Sequence, residues 1–153
     1  MKSLELKILP LVVVAIAASL MWLASMAISS LVFDIPANVV LAIGLSIIGV
    51  AIVLWAALAF RVASTTLNPV TPQNTSSLVT AGIFRFSRNP MYLGFFIFLL
   101  AWAVWLSNII AFLFLPAFVL YMNRFQITPE ERILLQKFGG EFQQYMTSVR
   151  RWI

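Results

Sequence analysis

Three uncharged runs set the frame of this chain. Residues 8–33 are closed by Asp34, residues 35–60 run up to Arg61, and residues 89–123 lie between Arg88 and Arg124. A helix needs about 20 apolar residues to cross a hydrocarbon core of roughly 30 Å. The first two runs each hold one such helix. Between them, Phe33-Asp34-Ile35-Pro36-Ala37-Asn38 carries the Pro and Asn of a turn. As a single helix the third run would extend roughly 50 Å, too long for one ordinary crossing. Its middle reads Trp105-Leu106-Ser107-Asn108, a polar notch beside a tryptophan of the kind that sits at membrane interfaces. The pattern predicts a helical hairpin with arms 91–106 and 108–121, which are 16 and 14 residues long. Arms this short need a thinned bilayer or ends exposed at its surface. Pro116 is expected to kink the second arm.

Composition turns this pattern into a fold class. The chain has 153 residues, of which 62% are hydrophobic and 10% charged, and a mean hydropathy of +1.00. Soluble domains are about 45–50% apolar and about 25% charged, so soluble globular, disordered and fibrous classes are excluded. The expectation is an all-α integral membrane protein with four transmembrane helices, the last two forming the hairpin.

The placement of charge orients it. The basic residues are Lys2, Lys7, Arg61, Arg85, Arg88, Arg124, Arg132, Lys137, Arg150 and Arg151; the acids are Glu5, Asp34, Glu130, Glu131 and Glu141. Four crossings put both termini and the 61–88 connection on one side, with every basic residue. The positive-inside rule makes that side cytoplasmic. The net charge of +5 is therefore read as a membrane-face bias, not as a nucleic-acid surface. Lys2 and Lys7 before an apolar run resemble a signal peptide. The run exceeds the roughly 7–15 apolar residues of such a signal, so an uncleaved first span is expected.

Cysteine and histidine are both absent. That removes disulfides, thiolate nucleophiles, metal sites of the Cys/His kind and imidazole acid–base chemistry. No charged residue falls inside a predicted span, which argues against a proton-coupled transporter. The polar chemistry is concentrated in residues 61–90 and 123–153, where a lipid-like and a water-soluble reactant could meet.

The first of these segments contains Leu78-Val79-Thr80-Ala81-Gly82 and then Arg88-Asn89-Pro90-Met91-Tyr92-Leu93-Gly94. Asn89 followed by Pro90 suits a helix start. The arginines then simply mark the positive flank of a membrane helix, or Arg88 and the free N–H groups form an anion site. The second segment contains Thr128-Pro129-Glu130-Glu131, then Phe138-Gly139-Gly140, Tyr145 and Arg150-Arg151-Trp152. Thr128, Pro129 and Glu131 read as a capped start of an amphipathic interfacial helix. That reading leaves Glu130 unexplained. Gly139-Gly140 would end this helix, and the Arg150-Arg151-Trp152 end could serve as a lipid-headgroup anchor.

Taken together, the two segments resemble the membrane-embedded methyltransferases that include isoprenylcysteine carboxyl methyltransferases and phospholipid N-methyltransferases. That family carries an Arg-His-Pro-x-Tyr-apolar-Gly run opening a membrane helix, a helical hairpin, a Glu-Glu pair, then Phe-Gly and a spaced tyrosine. The resemblance covers roughly residues 76–153. It implies S-adenosylmethionine as methyl donor, S-adenosylhomocysteine as product, no metal, and a cofactor pocket formed by the cytoplasmic loop and the C-terminal interfacial helices. By resemblance, Leu78, Val79, Phe84, Asn89, Pro90, Tyr92 and Glu130 line the donor pocket. Glu130 is the leading group for the donor's ammonium or ribose hydroxyls, and Phe84 and Tyr92 suit its adenine. Arg88, Arg124 and Glu131 are the catalytic candidates.

Two departures bear on chemistry. Asn89 stands where the family carries histidine, so a hydrogen bond is kept but a titrating group is not. Isoprenylcysteine enzymes tend to carry a substrate-binding arginine four residues before the Glu; here that position is Gln126, for which Arg124 could substitute. In-line displacement at a sulfonium methyl relies on alignment and electrostatics. The acceptor expected is lipid-like, with a carboxylate, amine or thiol taking the methyl group. The division is an N-terminal pair of helices, 1–62, and a catalytic region, 63–153, in a bacterial or archaeal cell membrane. The competing reading is a non-enzymatic carrier or scaffold that retains the fold.

Overall fold

A computed structural model describes residues 5–62 and 77–153. Lys2, the first residue of the expected catalytic region at 63, and the start of the family resemblance at 76 lie outside the described residues. The elements in chain order are α1 (Pro10–Ala27), α2 (Asn38–Val62), α3 (Pro90–Leu106), α4 (Ile109–Met122), α5 (Thr128–Phe138) and α6 (Gly140–Ser148). Short 3₁₀ turns fall at Ser29–Leu31 and Gly82–Arg85. Three helical stretches are long and apolar enough to cross a membrane: Pro10–Ala27, Asn38–Val62 and the continuous Ile109–Phe138. Pro90–Leu106 is apolar but shorter. Their outward faces are apolar as well, with Leu11, Val40, Ile47 and Leu120 exposed. Helices apolar all round belong in lipid.

The hairpin forms where the polar notch predicts it. Ser107 adopts a left-handed conformation and ends α3, its N–H returning to the Ala103 and Val104 carbonyls. Asn108 then caps α4, its Oδ1 accepting from the Ile110 N–H at 2.9 Å. Its Nδ2 donates to the Ile28 carbonyl at 2.9 Å, and Asn38 Nδ2 donates to Ser107 Oγ at 3.0 Å. The two turns at this end of the bundle are thus tied together, and Asn108 is fully buried with both ends of its side-chain amide hydrogen-bonded.

α2 and α3 pack closest. At Gly49 a Cβ would stand 2.9 Å from the Gly94 carbonyl oxygen, and at Gly94 it would stand 2.8 Å from the Gly49 oxygen and 2.5 Å from Val53 Cγ2. Only hydrogen fits at either position, as in other close-packed membrane helix pairs. α1 packs against α3 and α4, with Val14 and Met21 in the core and the Trp102 Nε1–H donating to the Ala18 carbonyl.

One expected helix start is corrected. Thr128, Pro129 and Glu131 do not open a new helix. The π-helical turn Asn123–Ile127 carries α4 straight into α5. Thr128 Oγ1 donates back to the Asn123 carbonyl at 2.7 Å instead of accepting as a cap. The physical reason lies at Pro129, which has no N–H for the carbonyl four residues earlier. That carbonyl, on Phe125, accepts instead from the Leu6 N–H at 3.1 Å. The Gln126 Nε2–H₂ donates to the Ile8 carbonyl beside it. The proline therefore leaves a docking point for the segment before α1, and Arg132 adds an ion pair to Glu5 at 3.2 Å. Gly139, at φ 52°, ends α5 as the Gly139-Gly140 signal implies.

Candidate functional site

A cavity of about 490 Å³ opens where α3 begins, within the roughly 300–1,000 Å³ usual for small-molecule sites. Asn89, Pro90 and Tyr92 supply one wall from the start of α3. Leu78, Val79 and Phe84 supply a second from the segment before it. Glu130 and Glu131 of α5, with Phe142 and Tyr145 of α6, close the polar end. Leu9, Leu11, Val53 and Phe60 form an apolar side drawn from α1 and α2. Phe60 and Phe84 meet edge to face, with ring centroids 5.2 Å apart.

Two adjacent carboxyl groups have different surroundings. The Tyr92 hydroxyl donates to Glu130 Oε1, and among the described residues no cation pairs with Glu130. Glu131 is paired twice. Arg88 Nη2 donates to it at 2.8 Å, and the Arg151 guanidinium reaches both of its oxygens. An acid with no cation beside an apolar chamber is electrostatically incomplete, whereas a paired acid is not.

Arg88 is held from several directions. Its Nη1 donates to the Met146 and Val149 carbonyls at 2.7 and 3.0 Å, placing a cation at the C-terminal end of α6. Its own N–H donates to the Arg150 carbonyl at 3.0 Å. Asn89 occupies the N-cap position of α3, with Pro90 in the first turn, but its side chain does not cap the helix. Asn89 Nδ2 donates to the Arg151 carbonyl at 3.0 Å. Tyr145 donates to the Phe84 carbonyl at 2.7 Å. Burial pushes its phenol well above the usual range, with Arg88 pulling the other way.

Nearly all the residues singled out in the sequence face this one chamber: Leu78, Val79, Phe84 and Asn89, then Pro90, Tyr92 and Glu130, and the catalytic candidates Arg88 and Glu131. Arg124 does not. It lies exposed on the π-helical turn, away from the cavity wall. Gln126, at the position of the family arginine, is fully buried and holds the N-terminal segment. Arg151, Leu9 and Leu11 were missed by sequence reasoning. Arg151 is half-buried against Glu131, so its side chain is turned inward. Trp152 follows it in, its Nε1–H donating to Asn123 Oδ1 at 3.1 Å. No local sequence signal separates Arg151 from Arg150, which is exposed.

A family model described as phospholipid methyltransferase matches residues 37–141, which run from α2 to the start of α6. An uncharacterized protein of Haemophilus influenzae is 48% identical over 63 residues, covering 41% of this chain and all of that relative. The protein-S-isoprenylcysteine O-methyltransferase of Schizosaccharomyces pombe is 36% identical over 72 residues, covering 47% of this chain and 30% of that enzyme. No solved structure matches the chain.

Proposed function

The chain belongs to the phospholipid methyltransferase family, and from that premise we propose that it transfers a methyl group from S-adenosylmethionine to a lipophilic acceptor at the cytoplasmic membrane face. The observation that carries this reading is Glu130. It is a carboxyl group with a hydroxyl partner but, among the described residues, no cation, facing a chamber walled mostly by apolar and aromatic side chains. A ligand with positive charge and a flat apolar part completes such a site, and the donor has both. In this reading α1 to α4 are four crossings, and both termini lie on the cytoplasmic side with the basic residues. Residues 63–153 form the catalytic region, and the helices of 1–62 complete the cavity wall.

When bound, the donor supplies an electrophilic sulfonium methyl that passes to an acceptor lone pair as the carbon–sulfur bond breaks. The protein's part is placement. Glu130 takes the donor's ammonium or ribose hydroxyls, with Tyr92 fixing the orientation of its carboxyl group. Phe84, Leu78 and Val79 flank the adenine. The side formed by Leu9, Leu11, Val53 and Phe60 receives the acceptor's apolar portion from the bilayer.

The acceptor class follows from the cations. Among the described residues Arg88 alone of the basic side chains lines the cavity; of the remaining residues, 1–4 and 63–76, only Lys2 is basic. Both terminal nitrogens of Arg88 already donate to carbonyls and to Glu131, and its unpartnered Nε has no exposed surface. A carboxylate acceptor would find no accessible unpaired cation among the described residues, and an unpaired buried charge is strongly disfavoured. An uncharged nucleophile, such as a lipophilic amine arriving as its free base or a thiol, meets no such penalty. It loses its proton to water, since Glu131 is paired and Glu141 lies exposed off the cavity wall.

Two measurements check this. Calorimetry of the purified protein should show one S-adenosylhomocysteine bound per chain; a flat titration contradicts the donor assignment. With labelled donor, a long-chain amine presented in vesicles should be methylated faster than the matching fatty acid by at least about tenfold, the worth of roughly 1.4 kcal/mol. Equal or reversed rates would contradict the acceptor assignment.

A further inference from the structure

The segment 149–152 has no place in the chemistry above, yet it is fastened along its length. Its Arg150 and Arg151 carbonyls accept from the Arg88 N–H and from Asn89 Nδ2, each at 3.0 Å. The Arg151 guanidinium turns inward onto both Glu131 oxygens, and the Trp152 indole reaches Asn123. Arg88 joins the same group, holding Glu131 with one nitrogen and the last carbonyls of α6 with another. The side chains of Arg88 and Glu131 are only 12% and 14% exposed. Three parts of the chain that meet nowhere else in sequence are thus joined through one carboxylate: the start of α3, α5 and the segment after α6.

From this network we infer that residues 149–152 are a latch over the polar end of the cavity, and that Glu131 is the positioning residue that keeps it shut. The inference rests on the donor reading above and extends it. The pieces the latch holds in place, Arg88, Asn89, Glu131 and Tyr145, are themselves cavity wall. Opening it would therefore unframe the donor's chamber while leaving the acceptor's apolar side, built from α1 and α2, intact. Glu131 thereby differs from Glu130 in kind. Its charge is consumed by two arginines, so removing it leaves two part-buried cations without a counter-ion, and they repel where they had been bridged. The paired acids divide the work: one faces the ligand and the other holds the wall.

The test is a double-mutant cycle read on donor-product binding, with proteolysis beside it. S-adenosylhomocysteine affinity is measured for the full chain in detergent as wild type, Glu131→Gln, Arg151→Met and the double variant. Trypsin cleavage after Arg150, a site that all four proteins keep, is followed in parallel by intact mass. Each single variant should weaken binding roughly tenfold, and the double variant should be no weaker than the worse single one, because both open one latch. Donor KM should rise with turnover at saturating donor little changed, and cleavage should accelerate in all three variants. Additive losses, or reduced turnover with unchanged affinity, would place Glu131 at the acceptor and overturn the latch. A wild type that binds no S-adenosylhomocysteine would sink the donor reading instead. The latch would then stand or fall on whether Glu131→Gln speeds trypsin cleavage.

Discussion

Replacing Glu130 with alanine should all but abolish donor binding while leaving the protein folded. Among the described residues Glu130 meets the Tyr92 hydroxyl and no cation, so its removal unties one bond among them. Burial raises the pKa of the Glu130 carboxyl to about 8, so what is lost is the group that a cationic ligand would draw into its charged form. Truncating one partner of a desolvated, hydrogen-bonded charge pair costs about 2–5 kcal/mol, so S-adenosylhomocysteine affinity should fall at least about thirtyfold. Glu130→Gln keeps the shape and one acceptor but not the charge, and should fall between wild type and alanine. Tyr92→Phe leaves the charge and frees its orientation; about 1 kcal/mol is the expected effect of that lost bond. Calorimetry of the three variants gives the order directly. A Glu130→Ala protein that binds as wild type would remove Glu130 from the donor site.

The second large effect is on assembly. Gly94→Ala should separate α2 from α3. The added methyl group meets Val53 Cγ2 at 2.5 Å and, with no rotamer to escape into, the Gly49 carbonyl oxygen at 2.8 Å. Overpacking of this kind costs about 1–3 kcal/mol, and the reciprocal Gly49→Ala should behave alike. Val53 lines the cavity, so the displaced helix also reshapes the cavity's apolar side. The thermal midpoint in detergent should drop for both variants, and Val53→Ala should rescue Gly94→Ala only in part because the backbone contact remains. Gly44→Ala is the control: nothing lies within 4 Å of a Cβ there, and it should be neutral or mildly stabilising. Equal midpoints at positions 44 and 94 would show that the α2–α3 contact is looser than described.

The hairpin was legible from sequence because its signals are local. A run of uncharged residues too long for one crossing, broken by Ser107-Asn108, has few other ways to fold, and Asn108 caps the second arm within two residues of itself. The ending of α5 at Gly139 was legible for the same reason. The grouping of Tyr92 with Glu130, 38 positions apart, was reachable only through the order of motifs that the family shares.

What stayed hidden depends on contacts between distant segments. Thr128-Pro129-Glu130-Glu131 carries every local mark of a helix start. It lies within a continuous helix because the carbonyl that Pro129 leaves open is taken by Leu6, more than a hundred residues away in sequence. The same misreading would make Glu131 a cap, whereas it is the anchor of an ion network with Arg88 and Arg151. Gln126 gives no sequence sign that it holds Ile8. Arg88 invites an anion-binding reading, and only the fold shows its Nη1 taken by the Met146 and Val149 carbonyls and its Nη2 by Glu131. In each case residue type fixes what a group can bond, and only the fold decides which partner arrives.

The most direct measurement of the central claim is label transfer in a native setting. The purified protein is reconstituted with a total lipid extract of its source membrane, supplied with S-adenosylmethionine labelled in the methyl group, and the organic phase is counted and resolved. The account requires label in a lipid-soluble product, abolished by Glu130→Ala and by excess S-adenosylhomocysteine. Label confined to the aqueous phase in a preparation that binds S-adenosylhomocysteine, or lipid labelling indifferent to Glu130→Ala, would contradict it.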